Sequence, residues 1–150
     1  MMTSFERLLA GLADADVRFV TVGGVACAMN GHVRATEDVD ILVDAAPDNL
    51  VRMLDFLASV GDGYARELTV DDFPLEPGAV RLVEDYPIDI FTLMDGQTFD
   101  ELAPHIRWWS GGASRIPYLD ARALADVKSS SLRPKDQEDV RVLRALLPDR

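Results

Sequence analysis

Residues 38–44 read Asp-Val-Asp-Ile-Leu-Val-Asp. The apolar, β-branched run is that of a strand, yet it begins with two aspartates around a single valine. Side chains alternate along a strand, so Asp38 and Asp40 share one face, while Val39, Ile41 and Val43 share the other, the core face. The two Cα atoms are then roughly 6.5–7 Å apart. Carboxylates at that spacing repel each other, and burial makes their ionisation costly. A hard divalent cation removes both penalties. Mg²⁺ or Mn²⁺ suits such a site, held by a few carboxylates together with substrate phosphates.

A third carboxylate has the same character. Asp89 stands between Ile88 and Ile90 in "PIDIFTL". If that strand lies beside 38–43, three carboxylates converge, and two metal ions there could hold both oxygens of an in-line displacement at phosphorus. Upstream, the strand "VRFVTV" (17–22) stops at Gly23-Gly24 and leads into the small-residue run "GVACAMNG". A Gly-Gly turn entering a helix lets backbone N–H groups approach a phosphate. Taken singly, Gly-Gly is most often a plain turn, and Asp-x-Asp is routine on an exposed strand edge. Together, in this order, they describe a site with a mechanism.

The rest of the chain supplies the scaffold. Residues 3–14 carry a capping-box spacing (Thr3, Glu6) and apolar residues at helical intervals. The helix after Gly24 is expected to close at Gly31 in a left-handed cap. Pro47 opens a helix near 48–60. Residues 61–78 read as a loop or irregular edge strand. Residues 79–84 and 87–93 form a hairpin, and "GQTFDELAPH" a short helix. Residues 114–120 are expected to be a last, proline-containing edge strand. Two helices, 120–132 and 134–147, are separated by Pro134. The order α-β-α-β-α-β-β-(α)-β-α-α predicts an α/β (α+β) fold: one domain over 1–150, a small mixed β-sheet flanked by helices, and a C-terminal helical pair.

Composition excludes several classes. The chain has 150 residues, 48% of them hydrophobic, enough for a real core. Its net charge of −11 argues against broad nonspecific nucleic-acid binding. There is no signal-peptide pattern and no membrane-length apolar run, and the single cysteine fits a reducing cytoplasm.

Val22-Gly23-Gly24 followed by Asp38-Val39-Asp40, with Asp89 as third carboxylate, resembles the DNA-polymerase-β-type nucleotidyltransferase superfamily. Its compact form is similar to the minimal and AbiEii-like nucleotidyltransferases of bacterial toxin–antitoxin systems. Arg34 and Thr36 match that group's Arg-x-Thr-x-Asp pattern. Lys128, Arg133, Lys135, Asp136 and Asp139 match its C-terminal Lys…Arg-x-Lys-Asp-x-x-Asp segment. The resemblance runs from the first strand to the end, except for 61–80. It implies transfer of a nucleoside monophosphate from an NTP to an acceptor hydroxyl on tRNA or a partner protein. Asp38 and Asp40 would bind both metals, and Asp89 would ligate the catalytic one and help activate the nucleophile. Gly23, Gly24, Arg34, Thr36, Lys128, Lys135 and Asp136 would serve the nucleotide. A cognate toxin–antitoxin partner is implied as well.

Other residues have plainer explanations. Lys128 fits a snorkelling lysine on an amphipathic helix, and Asp136 and Asp139 fit a helix N-terminus. Arg34 could pair with Glu37 or Asp44. His32 and His105 lack metal-ligand spacing and read as surface or satisfied polar groups. Trp108-Trp109 could stack a base or simply pack. Cys27 reads as a small buried hydrophobe. Three classes remain open: an active nucleotidyltransferase, a degenerate relative that binds a nucleotide or partner, and a metal-dependent hydrolase. The last is disfavoured by the lack of a His- or Cys-rich cluster.

Overall fold

The computed structural model describes residues 3–110 and 115–148. Its centre is a six-stranded mixed sheet in the order β3-β4-β2-β1-β6-β5. The strands are β1 (Phe19–Val22), β2 (Val39–Val43), β3 (Ala79–Val83), β4 (Pro87–Phe91), β5 (Ile106–Trp109) and β6 (Ile116–Leu119). Among the described residues, six helices flank it: α1 (Ser4–Asp14), α2 (Gly23–Met29), α3 (Pro47–Leu57), α4 (Phe99–Leu102), α5 (Ala121–Lys128) and α6 (Pro134–Ala145).

Alternation along the strands sorts the core into two layers. Val39, Ile41, Val43, Ile88 and Ile90 face α1 and α3, packing on Leu9, Leu12, Leu50 and Met53. Val20, Val22 and Leu42 face the other layer, with Ala26 and Cys27 of α2, Leu124 of α5 and Leu143 of α6. Asp40 precedes Leu42 by two residues, so it points towards α5 and α6. Helix starts follow local chemistry. The Thr3 side chain accepts a bond from the Glu6 amide, while Pro47 and Pro134 open α3 and α6.

The structure differs from the sequence reading in four places. Asp38 sits at the bend before β2 rather than inside the strand. Of the two alternatives for residues 61–78, the loop holds and the edge strand does not; two 3₁₀ turns, Tyr64–Glu67 and Val70–Asp72, lay Ala65 and Phe73 onto the first core layer. The strand expected at the edge over 114–120 is β6, and it lies inside the sheet, parallel to β1 and antiparallel to β5. Residue 114 falls outside the described residues. The edge belongs to β5, whose "IRWW" lacks clean polar–apolar alternation. Pro117 has no N–H to donate to the ladder, and β6 pairs with β1 at Thr21 and Tyr118. Finally, α5 ends at Lys128, four residues before the expected 132, where Ser129 donates to the Asp126 carbonyl.

Candidate active site

Strand register builds the site. β1 and β2 are antiparallel with Val22 opposite Asp40, and β2 and β4 are parallel with Asp40 opposite Asp89. The end of β1, the start of β2 and the middle of β4 therefore meet at one level. There Asp38, Asp40 and Asp89 each offer a carboxylate oxygen, and these oxygens lie within 4.8 Å of one another. Three hard, anionic oxygens at that separation suit a divalent cation such as Mg²⁺ or Mn²⁺.

The turn out of β1 closes against this cluster. Gly23 has φ +70°, the left-handed region, and a Cβ there would lie 1.9 Å from Asp40 Oδ2. Only glycine meets both demands. Gly24 is crowded too: a Cβ would come within 2.6 Å of Thr36 Oγ1 and 3.1 Å of Arg34 Nη1. The first turn of α2 thus packs between Asp40 on one side and Thr36 and Arg34 on the other.

The triad is short of positive charge. Burial, reinforced by Asp38 and then Asp89, pushes the Asp40 carboxyl up to about 7. Among the described residues, the cation in direct contact is Arg81. Its Nε and Nη2 donate to the two oxygens of Asp89 at 2.8 Å each, and Nη2 reaches Asp38 Oδ2 at 3.4 Å.

A second cluster, joining the 30–37 loop to α5 and α6, is balanced. Asp139 is fully buried. It accepts two bonds from Arg34 at 2.7 Å, one from Lys128 at 3.0 Å, and has His32 Nε2 at 3.0 Å. Asp136 takes Lys128 at 3.0 Å, Ser131 at 2.7 Å and Arg133 at 2.9 Å. Burial acts against ionisation of both carboxyls. The bonds from Arg133, Ser131 and Lys128 hold Asp136 below its ordinary range, and those from Arg34 and Lys128 hold Asp139 there. Burial likewise acts against the Lys128 charge, but Asp139 and Asp136 more than restore it.

All ten residues singled out from the sequence line one cavity of about 430 Å³, and Asp139 stands behind its wall. Lys128 is placed differently from a free phosphate-binding cation, because it bridges two carboxylates. Arg34 pairs with Asp139, not with Glu37 or Asp44. His32 is a satisfied polar group on Asp139. The two tryptophans lie on the far edge strand: Trp109 packs on the first core layer, and Arg115 covers Trp108 at 4.7 Å. Sequence reasoning missed Arg81. Its signal was the symmetry of the hairpin, which pairs Val83 with Pro87 and so Arg81 with Asp89. It also missed Phe91, Met94, Leu124 and Val127, which form the cavity's apolar wall.

No protein-family profile and no curated protein gives a significant match to the sequence. Among solved structures, the chain is similar to a Thermotoga maritima protein provisionally assigned as a nucleotidyltransferase. The identity is 16% and the TM-score 0.56, covering 93% of this chain and 89% of that one. At that identity the likeness speaks for the fold: the mixed six-stranded sheet with its six described helices is a nucleotidyltransferase-like fold. No helix among the described residues is long and apolar enough to cross a membrane.

Proposed function

We propose that this chain is a metal-dependent nucleotidyltransferase. An acceptor hydroxyl would attack the α-phosphorus of an NTP, the bond to pyrophosphate would break, and the nucleoside monophosphate would move to the acceptor. One observation carries this: a single cavity gathers three carboxylates able to share a cation and a glycine turn packed directly against them, within a nucleotidyltransferase-like fold.

Asp38, Asp40 and Asp89 would hold the metal, Mg²⁺ or Mn²⁺. Bound there, a divalent cation polarises phosphoryl oxygens and offsets the charge that develops at phosphorus. The chain's own groups do the rest. Gly23 and Gly24 give backbone access to the phosphates, and Thr36 and Arg34 hold that turn in place. Arg133 and Lys135 line the same cavity from the start of α6 and offer charge to the triphosphate. Lys128 and Asp136 line the same wall as an ion pair, and Asp139 braces it from behind. The residue resemblance extends the proposal to an AbiEii-like enzyme of the cytoplasm, acting within a toxin–antitoxin system on an RNA or a partner protein. A net charge of −11 favours a specific acceptor over nucleic acid at large.

The test is direct. Purified protein with Mg²⁺, each base-labelled NTP in turn, and either total tRNA or a cytosolic protein extract should release pyrophosphate and label one acceptor class. Asp40→Asn should do neither. Pyrophosphate release by Asp40→Asn at the wild-type rate, or none by the wild type with any NTP and acceptor, would contradict the proposal.

A further inference from the structure

Arg81 faces Asp89 directly across the β3–β4 ladder, so both side chains rise from the same face of the sheet. Its guanidinium engages both oxygens of Asp89 and one of Asp38, two of the three carboxylates in the acidic cluster. Nη2 bridges between them. A divalent cation that used all three carboxylates would have to share or take that position. The Arg81 side chain is 54% exposed and lines the cavity, so it has room to swing outward.

We propose that Arg81 is the internal counter-cation of the metal site. It holds Asp38 and Asp89 together while no metal is bound, and it releases Asp38 when a divalent cation takes the triad. This rests on the triad being a metal site, as proposed above. The device has a purpose in the empty protein. Without Arg81 three carboxylates would face one another at close range. It also sets a threshold for loading. A guanidinium left about 5 Å from a dication in a water-like dielectric opposes its binding by roughly tenfold. That opposition falls when an anionic phosphate enters the cavity and gives the released guanidinium a new partner. Arg81 thus disfavours metal alone and favours metal together with a triphosphate.

The experiment is Mn²⁺ binding, followed by loss of the free-ion electron paramagnetic resonance signal, in wild type, Arg81→Gln and Arg81→Lys, each without nucleotide. Arg81→Gln should bind Mn²⁺ about tenfold more tightly than wild type. Arg81→Lys, which keeps the charge and loses the two-pronged contact, should stay closer to wild type. Thermal melts in EDTA provide a second readout: Arg81→Gln should melt lower than wild type and show the larger Mn²⁺-induced rise. Equal or weaker Mn²⁺ binding by Arg81→Gln would overturn the inference, because Arg81 would then merely orient Asp89 as a ligand. Absence of Mn²⁺ binding in all three proteins would instead overturn the metal site itself.

Discussion

Replacing Asp40 with asparagine should make the metal-free protein more stable, and the gain should grow with pH. In the folded chain the Asp40 carboxyl is raised from an ordinary 3.8 to about 7. Between those values the folded state keeps a proton that the unfolded chain has released. Wild-type stability therefore falls as pH rises from about 4 and levels off above about 7. At about 1.4 kcal/mol per pKa unit, the raised Asp40 pKa costs the fold about 2 kcal/mol at pH 5, where the folded carboxyl holds a proton the unfolded chain has lost, and about 4 kcal/mol at pH 8, where it is ionised. The asparagine side chain cannot ionise, so the variant escapes both costs. The stability difference between the two proteins should widen by about 2 kcal/mol across that range. Urea unfolding in EDTA at pH 5 and pH 8 measures it, and carboxylates common to both proteins largely cancel. Mn²⁺ in place of EDTA should close most of the gap at pH 8, since a hundredfold excess over the dissociation constant stabilises only the wild type, by about 2.7 kcal/mol. A difference that does not change between pH 5 and pH 8, or an Asp40→Asn protein less stable than wild type at pH 8, would refute the burial and the repulsion from Asp38 and Asp89 that raise the Asp40 carboxyl.

Two further outcomes follow from the geometry. Gly24→Val places a Cβ within 2.6 Å of Thr36 Oγ1 and should cost about 1–3 kcal/mol by overpacking; titration of the folded variant with a fluorescent ATP analogue should show loss of binding, and retained binding would remove Gly24 from the phosphate site. Asp139→Ala strands Arg34 and Lys128 beside a buried gap and should cost about 3–5 kcal/mol in urea unfolding at pH 7. Because the Asp139 carboxyl is held below 3.8, its contribution is present above that value and fades as pH falls towards about 2, so the two proteins should converge in acid.

The chain's local text contained most of the acidic face. A carboxylate flanked by Val39 and Ile41, or by Ile88 and Ile90, has no reason to sit there unless something compensates it, and that oddity is visible without a structure. So were the Gly23-Gly24 break after β1, the proline starts of α3 and α6, and the hairpin that carries Asp89. These signals are short-range: they depend on side-chain alternation, on φ limits and on the missing proline N–H, all fixed within a few residues. What the sequence could not decide is which strands become neighbours. That Asp40 lies opposite Asp89 depends on the parallel pairing of β2 with β4, and that β6 is interior depends on β5 covering its outer edge. Such pairings join residues tens of positions apart, and they are chosen by the packing of whole faces rather than by local preference. The roles of the cations were settled in the same way. Lys128 reads as a snorkelling lysine or a nucleotide ligand, Arg34 as a nucleotide ligand or a partner of Glu37 or Asp44, and Arg81 draws no reading at all. Tertiary structure clamped Lys128 between Asp136 and Asp139, tied Arg34 to Asp139 across 105 residues, and set Arg81 on two of the three triad carboxylates. Charge is legible in a sequence, but its partner is a matter of distance in space, and only the folded chain sets that distance.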